Sequence, residues 1–407
     1  MRKIYYYIEF ENISPIHIGN GDNTNSDLDV IKDQNDQFYI PGSSLAGCIA
    51  HSLNEENRAL FQPKINNEQY KQSPFIINDA RMITKNDIIE VRNGIRLSQD
   101  KTTEYMAKYD YEVVPRGQHF EWVVEIIDRD QKAYETLIEN VLKSVKNQDI
   151  RVGYKTTRGL GRLEIIKSGK RIFDQNNFDD YFHFDRYDFS QYHSFEIEHI
   201  ASSCYKTIEV DLIQKGGLSI RTYNASQDDI DFEHIHSLNK PIIPATSWNG
   251  LLRRSLDHYI DQLKLHLDIR DIFGGVLSKD ETETHEEIKM KSKVLIEEGT
   301  LDKGECMTQT RIKMNSFYSG TEKGSLYKEK SYYHGTTTLT MYLSRDIQHL
   351  ELVEKLFILT FIDLDHGFIA LGGETSIGRG LFEVKEIRID HQKIDIHDYI
   401  KMEESSC

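Results

Sequence analysis

The chain has 407 residues, of which 38% are hydrophobic and 29% are charged, a composition typical of a globular protein long enough for two domains. Its formal net charge of −16 excludes a protein that coats nucleic acid through a broad basic surface. No apolar run approaches the roughly 18 residues that a membrane-spanning helix needs. Its four cysteines form no CxxC pair, which argues against a zinc site or a disulfide framework and agrees with a cytoplasmic protein.

The first half of the chain contains five segments with patterns of regular structure. Apolar residues alternate over residues 4–10 and again over 120–126, which predicts two β-strands. Helices are predicted at 44–54 and 137–145, because apolar residues recur there at helical spacing. A glycine-rich block at 152–165 leads into a further strand. The order strand, helix, insertion, strand, helix, glycine loop, strand predicts a ferredoxin-like α+β module, with its sheet packed on two helices.

The second half repeats the first. The block Pro41–Asn54 matches Pro244–Asp257, and the block Val152–Ile165 matches Leu371–Val384, both without a gap. The coinciding residues are Pro41/Pro244, Ser44/Ser247, Gly47/Gly250, Ser52/Ser255 and Leu53/Leu256 in the first block, and Gly153/Gly372, Thr156/Thr375, Gly159/Gly378, Gly161/Gly380 and Glu164/Glu383 in the second. The repeat predicts a duplicated domain.

The predicted modules span residues 1–190 and 191–407. The boundary is placed within 168–202, a polar and aromatic stretch without clear periodicity. A period of about 200 residues is too long for a solenoid, whose repeats span about 20–50 residues.

The two glycine-rich blocks contain residues that can hold an RNA phosphate. Glycine permits close approach of the backbone, successive free amides can bind an anion, and polar side chains add donors. The predicted RNA contacts in these blocks are Lys155, Thr156, Thr157, Arg158, Arg162, Thr375, Ser376 and Arg379. The same pattern also fits a tight turn with solvated arginines. Neither block is a P-loop, and both precede a strand, which excludes a dinucleotide-binding fingerprint.

The serine-rich starts of the first helices are a second group of candidate contacts. Ser44 and Ser247 are predicted N-caps, because a serine oxygen accepts hydrogen bonds from the amides of a first helical turn. A helix N-terminus can also bind phosphate. Ser43, Ser44, Ser247 and Arg253 therefore join the predicted RNA contacts, although capping alone also explains the serines.

A loop rich in aspartate precedes each of these helices. The acidic residues are Asp22, Asp27, Asp29, Asp33 and Asp36 in the first half, and Asp228, Asp229 and Asp231 in the second. Clustered carboxylates can bind a divalent ion or act as general bases, and they also suit a solvated loop. The first loop lacks the helices and the offsets of an EF-hand. His17 and His51 have no Ser or Cys partner at a telling spacing, and both are interpreted as surface or groove histidines.

Several motifs of the first half, taken together, resemble a known family. They are HIGNGD, YIPGSSLAG, SPFIINDARM, YDYEVVPRGQHFEWVVEI and RVGYKTTRGLGRLEI, spread over residues 1–165, and the second half repeats them more loosely. In combination they resemble the RAMP (repeat-associated mysterious protein) backbone subunits of type III CRISPR effector complexes. Two such modules in one chain resemble the fused double backbone subunit of some type III systems. The resemblance implies a modified ferredoxin-like, RRM-like palm with a β-hairpin thumb in each module.

The resemblance also implies partners and a chemistry. Such subunits line up along a CRISPR guide RNA with other RAMP subunits and the large signature subunit, and a complementary target RNA pairs with the guide. An acidic loop residue supports cleavage of the target, and the matching position here is Asp27, three residues before Val30. The same spacing in the second half points at Asp229, with Asp228 and Asp231 as rivals. The expected cofactor is a divalent metal ion, Mg or Mn, bound transiently and shared with RNA.

Three functions stay open at this level. The first is an endoribonuclease subunit, in which one or both modules cut target RNA. The second is a structural guide-RNA-binding subunit with inert loops. The third, from a different class, is a metabolic enzyme that binds a phosphate or nucleotide with its glycine loops. None of the three needs a membrane.

Overall fold

The computed structural model describes residues 2–21, 24, 26–64, 71–84, 88–97, 103–129, 133–198, 204–223, 230–277 and 288–395. The chain divides into two compact units, one of residues 1–156 and 160–202 and the other of residues 157–159 and 203–407. Within the described ranges, no helix combines the length and the hydropathy needed to cross a membrane.

The first unit is built from short helices and a mostly antiparallel set of strands. Its elements are β1 (Arg2–Asn12), β2 (Tyr39–Ile40), α1 (Gly42–Ser52), α2 (Glu55–Phe61), β3 (Phe75–Ile77), β4 (Ala80–Met82), β5 (Glu90–Leu97), β6 (Thr103–Val113), β7 (His119–Asp128), α3 (Tyr134–Lys146), β8 (Leu163–Phe173), α4 (Phe178–Tyr181) and β9 (His193–Ser194).

The main sheet of this unit has the strand order β2-β4-β7-β1-β8-β9, and β3 also pairs with β7. The first strand, β1, lies in the middle, antiparallel to β7 and to β8. Apolar residues on one face of β1 pack on α1 and α3 in a continuous core, with Ile8 and Phe10 beside Leu45 and Val141. Strand β1 thus lies between β7 and β8, and two helices cover one face of the sheet. This arrangement is the predicted ferredoxin-like fold.

The second unit repeats that plan with more strands. Its elements are β10 (Tyr205–Lys215), β11 (Gly217–Leu218), β12 (Arg221–Tyr223), β13 (Phe232–His234), β14 (His236–Ser237), β15 (Lys240–Ile243), α5 (Ala245–Gln262), α6 (Ile269–Phe273), β16 (Gly275–Leu277), β17 (Ile288–Met290), β18 (Val294–Ile296), β19 (Gly299–Thr300), β20 (Glu305–Arg311), β21 (Met314–Asn315), β22 (Gly320–Thr321), β23 (Tyr327–Tyr333), β24 (Thr336–Ser344), α7 (Leu350–Asp365), β25 (Leu381–Ile389) and β26 (Gln392–Lys393).

Its main sheet has the order β18-β24-β10-β25-β26, with the first strand β10 again in the middle. Val210 and Leu212 of β10 share a core with Trp248 of α5 and Phe357 of α7. Both units are therefore ferredoxin-like, and the predicted tandem α+β fold is confirmed.

Each unit also carries a hairpin of the kind expected for a thumb. In the first unit β5 pairs with β6 in antiparallel register, from Glu90 opposite Val113 outward. In the second unit β20 pairs with β23, from Glu305 opposite Tyr333 to Arg311 opposite Tyr327.

The predicted serine caps are wrong. Helix α1 begins at Gly42 directly after Pro41, and α5 begins at Ala245 directly after Pro244, so Ser44 and Ser247 lie inside the first turn. Their own amides donate to the proline carbonyls at 2.9 Å, and neither serine side chain makes a capping hydrogen bond. Proline starts these helices because its fixed φ suits a helix entry where the missing N–H costs nothing.

Candidate nucleic-acid interface

The glycine loop of each unit is fixed to the segment that follows the unit's first strand. In the first unit the Tyr154 amide donates to the His17 carbonyl at 2.8 Å. In the second unit the Gly373 amide donates to the Ser219 carbonyl at the same 2.8 Å. Each loop then makes one 3-10 turn, Thr156–Arg158 or Thr375–Ile377. The repeat in the sequence thus corresponds to the same backbone hydrogen bond in each unit.

The last glycine of each loop is required by a close backbone approach. Gly161 has a φ of 82° and Gly380 a φ of 76°, in the left-handed region. A Cβ at Gly161 would lie 2.0 Å from the Val152 carbonyl oxygen, and one at Gly380 would lie 1.9 Å from that of Leu371. Gly161 and Gly380 therefore have a structural reason that is independent of any ligand.

Asp27 lies exposed at the base of the first thumb hairpin. Its carboxylate oxygen Oδ2 accepts a hydrogen bond from the Asp110 amide of β6 at 2.9 Å. The next residue, Leu28, bridges to Tyr111 in parallel register. Further along, the Ile31 amide donates to the Ile18 carbonyl at 2.8 Å.

Asp231 has the same surroundings in the second unit. It is exposed, and its Oδ2 accepts from the Lys328 amide of β23 at 2.8 Å. The next residue, Phe232, pairs with Glu329 in parallel register. The Ile235 amide donates to the Ile220 carbonyl at 2.9 Å, which completes the match with the first unit.

These matched hydrogen bonds make Asp231 the structural counterpart of Asp27. The sequence spacing had favoured Asp229, which lies with Asp228 outside the described residues. In the structure, Val30 corresponds to His234. The sequence spacing had instead matched Val30 with Phe232, two residues earlier. A two-residue shift keeps the same side chains on the same face of an extended segment, so the pattern of apolar and polar residues could not reveal it.

Behind the first acidic loop lies a cluster of one lysine and three tyrosines, which we call the Lys155 cage. Lys155 Nζ lies 3.4 Å from the ring centroid of Tyr111, 4.8 Å from that of Tyr109 and 5.5 Å from that of Tyr154. A cation over aromatic faces is stabilised by their quadrupoles, more so when water is excluded. Lys155 is itself buried and has a φ of 55°, so its predicted contact with RNA does not fit this arrangement.

His17 lies beside this cage and is buried, which corrects its interpretation as a surface or groove histidine. Its Nδ1 lies 2.7 Å from the Glu112 carbonyl oxygen and donates to it, because a carbonyl only accepts. Burial lowers the pKa of His17, and the charge of Lys155 lowers it further, against the effect of the Glu112 carbonyl. The ring is therefore neutral at pH 7.

In the second unit an ion cluster, formed by Arg379, Arg221, Glu329 and Glu374, takes the place of the cage. Arg379 Nε lies 2.8 Å from Glu374, and its Nη2 lies 3.3 Å from Glu329. Burial raises the pKa of Glu329, but the hydrogen bonds with Ser219 and Glu374 and the charges of Arg379 and Arg221 outweigh it, so that the pKa lies below its usual value.

Arg379 is consequently not a surface group. Its side chain is 4% exposed, and its Nη2 also donates to Gln309 at 3.0 Å. A guanidinium held by two carboxylates inside the unit does not reach a phosphate at the surface, so the predicted RNA contact of Arg379 is not supported by this geometry.

The other predicted RNA contacts differ in exposure. Ser43, Arg158 and Ser376 are exposed, whereas the partly buried ones are Ser44, Thr156, Thr157, Arg162, Ser247, Arg253 and Thr375. Arg162 donates to Gln148 and Arg253 to the Gly274 carbonyl, both at 3.3 Å. The amide of Gly42, at the start of α1, is occupied by the Asp79 carboxylate at 2.7 Å, which leaves a weaker anion site there than the sequence suggested.

Sequence reasoning missed the residues that support the acidic loop. Tyr109 and Tyr111 stand two apart on one strand, which puts both rings on the same face, and this signal was visible in the motif YDYEVV. The role of Glu112 in the same motif had no sequence signal, because its partners lie in a segment about 80 residues away.

Comparison with known proteins identifies the family. No curated protein matches this chain. A family model described as the RAMP superfamily matches residues 9–164 and residues 217–383, which are most of the chain and fall one in each unit. The two matched regions contain both acidic loops, both thumb hairpins and both glycine loops. The chain therefore belongs to the RAMP superfamily and contains two RAMP modules.

Proposed function

We propose that this chain is a guide-RNA-binding backbone subunit of a type III CRISPR effector complex, and that its acidic loops support cleavage of a complementary target RNA. Membership of the RAMP superfamily makes the chain a CRISPR-associated RNA-binding subunit. The observation that carries the cleavage proposal is the orientation of Asp27, an exposed carboxylate held on the base of the hairpin by the Asp110 amide.

Binding of RNA requires local groups, because the formal net charge is −16. Arg158, Ser43 and Ser376 are exposed donors on the glycine loops and on α1. Contacts of this kind reach the phosphates and not the base edges, so they hold RNA without reading its sequence. A subunit that carries many different guides needs that property.

The chemistry assigned to Asp27 uses the RNA's own 2′-OH. One oxygen of the Asp27 carboxylate accepts from the Asp110 amide, and within the described residues the other oxygen has no donor and can meet the substrate. A carboxylate in this position can orient the 2′-OH or take its proton as the oxygen attacks the adjacent phosphorus atom. The bond between phosphorus and the 5′-oxygen then breaks, the 5′-oxygen takes a proton from water, and the product ends in a 2′,3′-cyclic phosphate. DNA lacks the hydroxyl and is expected to bind without being cut.

The Asp27 site fits a divalent ion that is shared with the RNA. Among the described residues, no three His, Cys, Asp or Glu side chains converge as a metal cage. Asp27 offers one free carboxylate oxygen, which suits Mg or Mn held mainly by RNA phosphates. Such an ion supplies charge stabilisation at the phosphate. Asp27 would be its protein ligand, and Asp231 would be the counterpart in the second module.

The experiment uses the assembled complex with a complementary RNA and a strand that is 2′-deoxy at the cut nucleotide. Asp27→Asn should lower one cut by about 10²- to 10⁴-fold, the usual contribution of a general base, and leave RNA affinity unchanged. Asp36→Asn is the matched control, because Asp36 is a 90% exposed carboxylate of the same loop region. If the Asp27→Asn complex cuts everywhere at the normal rate, the chain is a structural guide-binding subunit. If the purified chain carries no RNA of uniform length, RNA binding itself is refuted.

A further inference from the structure

Glu112 is a buried acidic residue of the first thumb hairpin for which neither the sequence motifs nor the proposed chemistry provides a role. It lies on β6, two residues after Asp110, and only 5% of its surface is exposed. Acidic side chains are seldom buried to this degree unless their oxygens are bound. The partners of Glu112 therefore indicate what it does.

All three polar groups of Glu112 bind segments that surround the acidic loop. The side-chain oxygen Oε2 accepts from the Val30 amide at 2.9 Å. The main-chain amide donates to the Leu28 carbonyl at 3.0 Å, and the main-chain carbonyl accepts from His17 Nδ1 at 2.7 Å. One residue of the hairpin thus holds the acidic loop and the segment that follows β1.

The contact with Val30 completes a two-point attachment around the proposed catalytic carboxylate. Asp27 is held on β6 through its own side chain, and Val30, three residues later, is held on β6 through Glu112. Between them, the Asp29 carboxylate turns inward and accepts from the Ser26 amide at 2.8 Å. Both ends of the segment 27–30 are therefore hydrogen-bonded to the base of the hairpin.

Among its described residues, the second unit has no counterpart of this attachment. The residue at the position of Glu112 is Lys330, since Tyr111 corresponds to Glu329. Lys330 Nζ lies 3.9 Å from Glu233, an ion pair between partly exposed side chains of neighbouring strands. The residue at the position of Val30 is His234, which is fully buried and binds the Ile242 carbonyl through its own ring.

We propose that Glu112 is a positioning residue that fixes the Asp27 loop to the thumb hairpin, so that RNA bound along the hairpin meets the carboxylate at a set place. This inference rests on the proposed cleavage function. Misplacement of a catalytic group by about 1 Å can cost about a hundredfold in rate, so loss of the attachment should be visible in the chemical step.

The test compares Glu112→Ala, Glu112→Gln and, in the second unit, Lys330→Ala, in the assembled complex. Glu112→Ala removes the acceptor, and Glu112→Gln keeps an amide oxygen that can accept from Val30. We expect Glu112→Ala to slow the cut that depends on Asp27 by about tenfold or more under single-turnover conditions, with RNA affinity within about twofold of normal. Glu112→Gln should restore most of that rate, and Lys330→Ala should leave the cut unchanged.

A second readout does not depend on activity. Hydrogen exchange of the peptide that contains Val30, measured on the full chain, should accelerate in Glu112→Ala and stay near normal in Glu112→Gln. A normal cut and normal exchange in Glu112→Ala, in a complex where Asp27→Asn abolishes the cut, overturns the inference. If Asp27→Asn abolishes no cut, the proposed function fails, and the exchange of the Val30 amide still decides whether Glu112 holds the loop.

Discussion

The first and second units hold their acidic loops in matching backbone hydrogen bonds but support them with different side chains. Asp27 and Asp231 each accept from a hairpin amide, at 2.9 and 2.8 Å. Beneath the first lies the Lys155 cage, and beneath the second lies the ion cluster around Arg379. The two sites therefore keep the same backbone geometry although the side chains below them differ completely, so the two loops should respond differently to mutation, pH and salt.

The two main sheets also differ on the faces that are turned away from their helices. In the first unit Tyr5 and Tyr7 pack under aromatic residues of the segment after β8, including Phe184 and Tyr192. In the second unit the equivalent face carries an ion network, with Arg388 2.6 Å from Asp211. A covered face and a solvated face are both normal for antiparallel sheets. Within the part of the chain that the structure describes, this second apolar layer is found in the first unit and not in the second.

The largest expected effect is the loss of Arg379. Arg379→Met leaves the buried Glu329 and the partly buried Glu374 with fewer partners, and breaking a buried ion pair from one side costs about 3–5 kcal/mol. The free energy of unfolding of the second unit can be followed by the fluorescence of Trp248 in a Trp122→Phe background, since the chain has two tryptophans, one in each unit. Adding Glu329→Gln and Glu374→Gln should recover part of the loss. An unchanged stability with weakened RNA binding would instead make Arg379 a phosphate contact.

The next largest expected effect is a loss of stability of the second unit at low pH. Burial, with a smaller effect of the charge of His236, lowers the pKa of His234 to about 4. The unfolded chain binds this proton near pH 6.5, so the second unit should lose stability as the pH falls from 6.5 toward 4, by up to about 3 kcal/mol. The Trp248 assay measures this loss. Denaturation curves of His234→Gln and wild type should converge as the pH falls, and parallel curves would contradict the prediction.

RNA retention should depend on the exposed arginine of one glycine loop. Arg158 occupies the position that Ile377 has in the other loop, and both side chains are exposed. Arg158→Ala should lower affinity severalfold and reduce the slope of affinity against salt by about one, as for the loss of one phosphate contact. Ile377→Ala is the matched control and should leave the slope unchanged. An equal slope in both variants would exclude Arg158 from the interface.

The smallest expected effect is electrostatic and belongs to the Lys155 cage. Lys155→Met removes the charge that lowers the pKa of His17, so this pKa should rise, as followed by NMR of the imidazole ring. The loss of cation–π contacts should cost about 1–2 kcal/mol of stability in the first unit. Lys71→Met, at an exposed position, serves as control. A pKa of His17 that stays constant or falls would show that the cage does not act on the histidine.

The sequence predicted the secondary structure and the internal repeat better than the contacts of the side chains at the candidate sites. Strands, helices and glycine loops repeat with gap-free blocks, and the alternation of apolar residues in β1 and β10 identified their core faces. The aromatic residues 178–192 form a layer on the first sheet, but an irregular segment has no period to detect, so only a boundary was predicted there. The register of the second acidic loop was missed because a shift by two residues preserves the alternation. Arg379 was predicted as an RNA contact because the glycine-rich pattern gives no sign that its side chain is buried, and one of its two carboxylate partners, Glu329, lies 50 residues away.

Whether Asp231 is the functional counterpart of Asp27 is decided by target RNA cleavage in complexes with Asp231→Ala or Asp229→Ala, each alone and combined with Asp27→Ala. The matched hydrogen bonds of Asp27 and Asp231 predict that Asp231→Ala removes the cut that survives in Asp27→Ala, and that Asp229→Ala leaves that cut in place. RNA affinity should stay unchanged throughout. Loss of the second cut in Asp229→Ala with normal cleavage in Asp231→Ala would contradict the structural equivalence of the two loops.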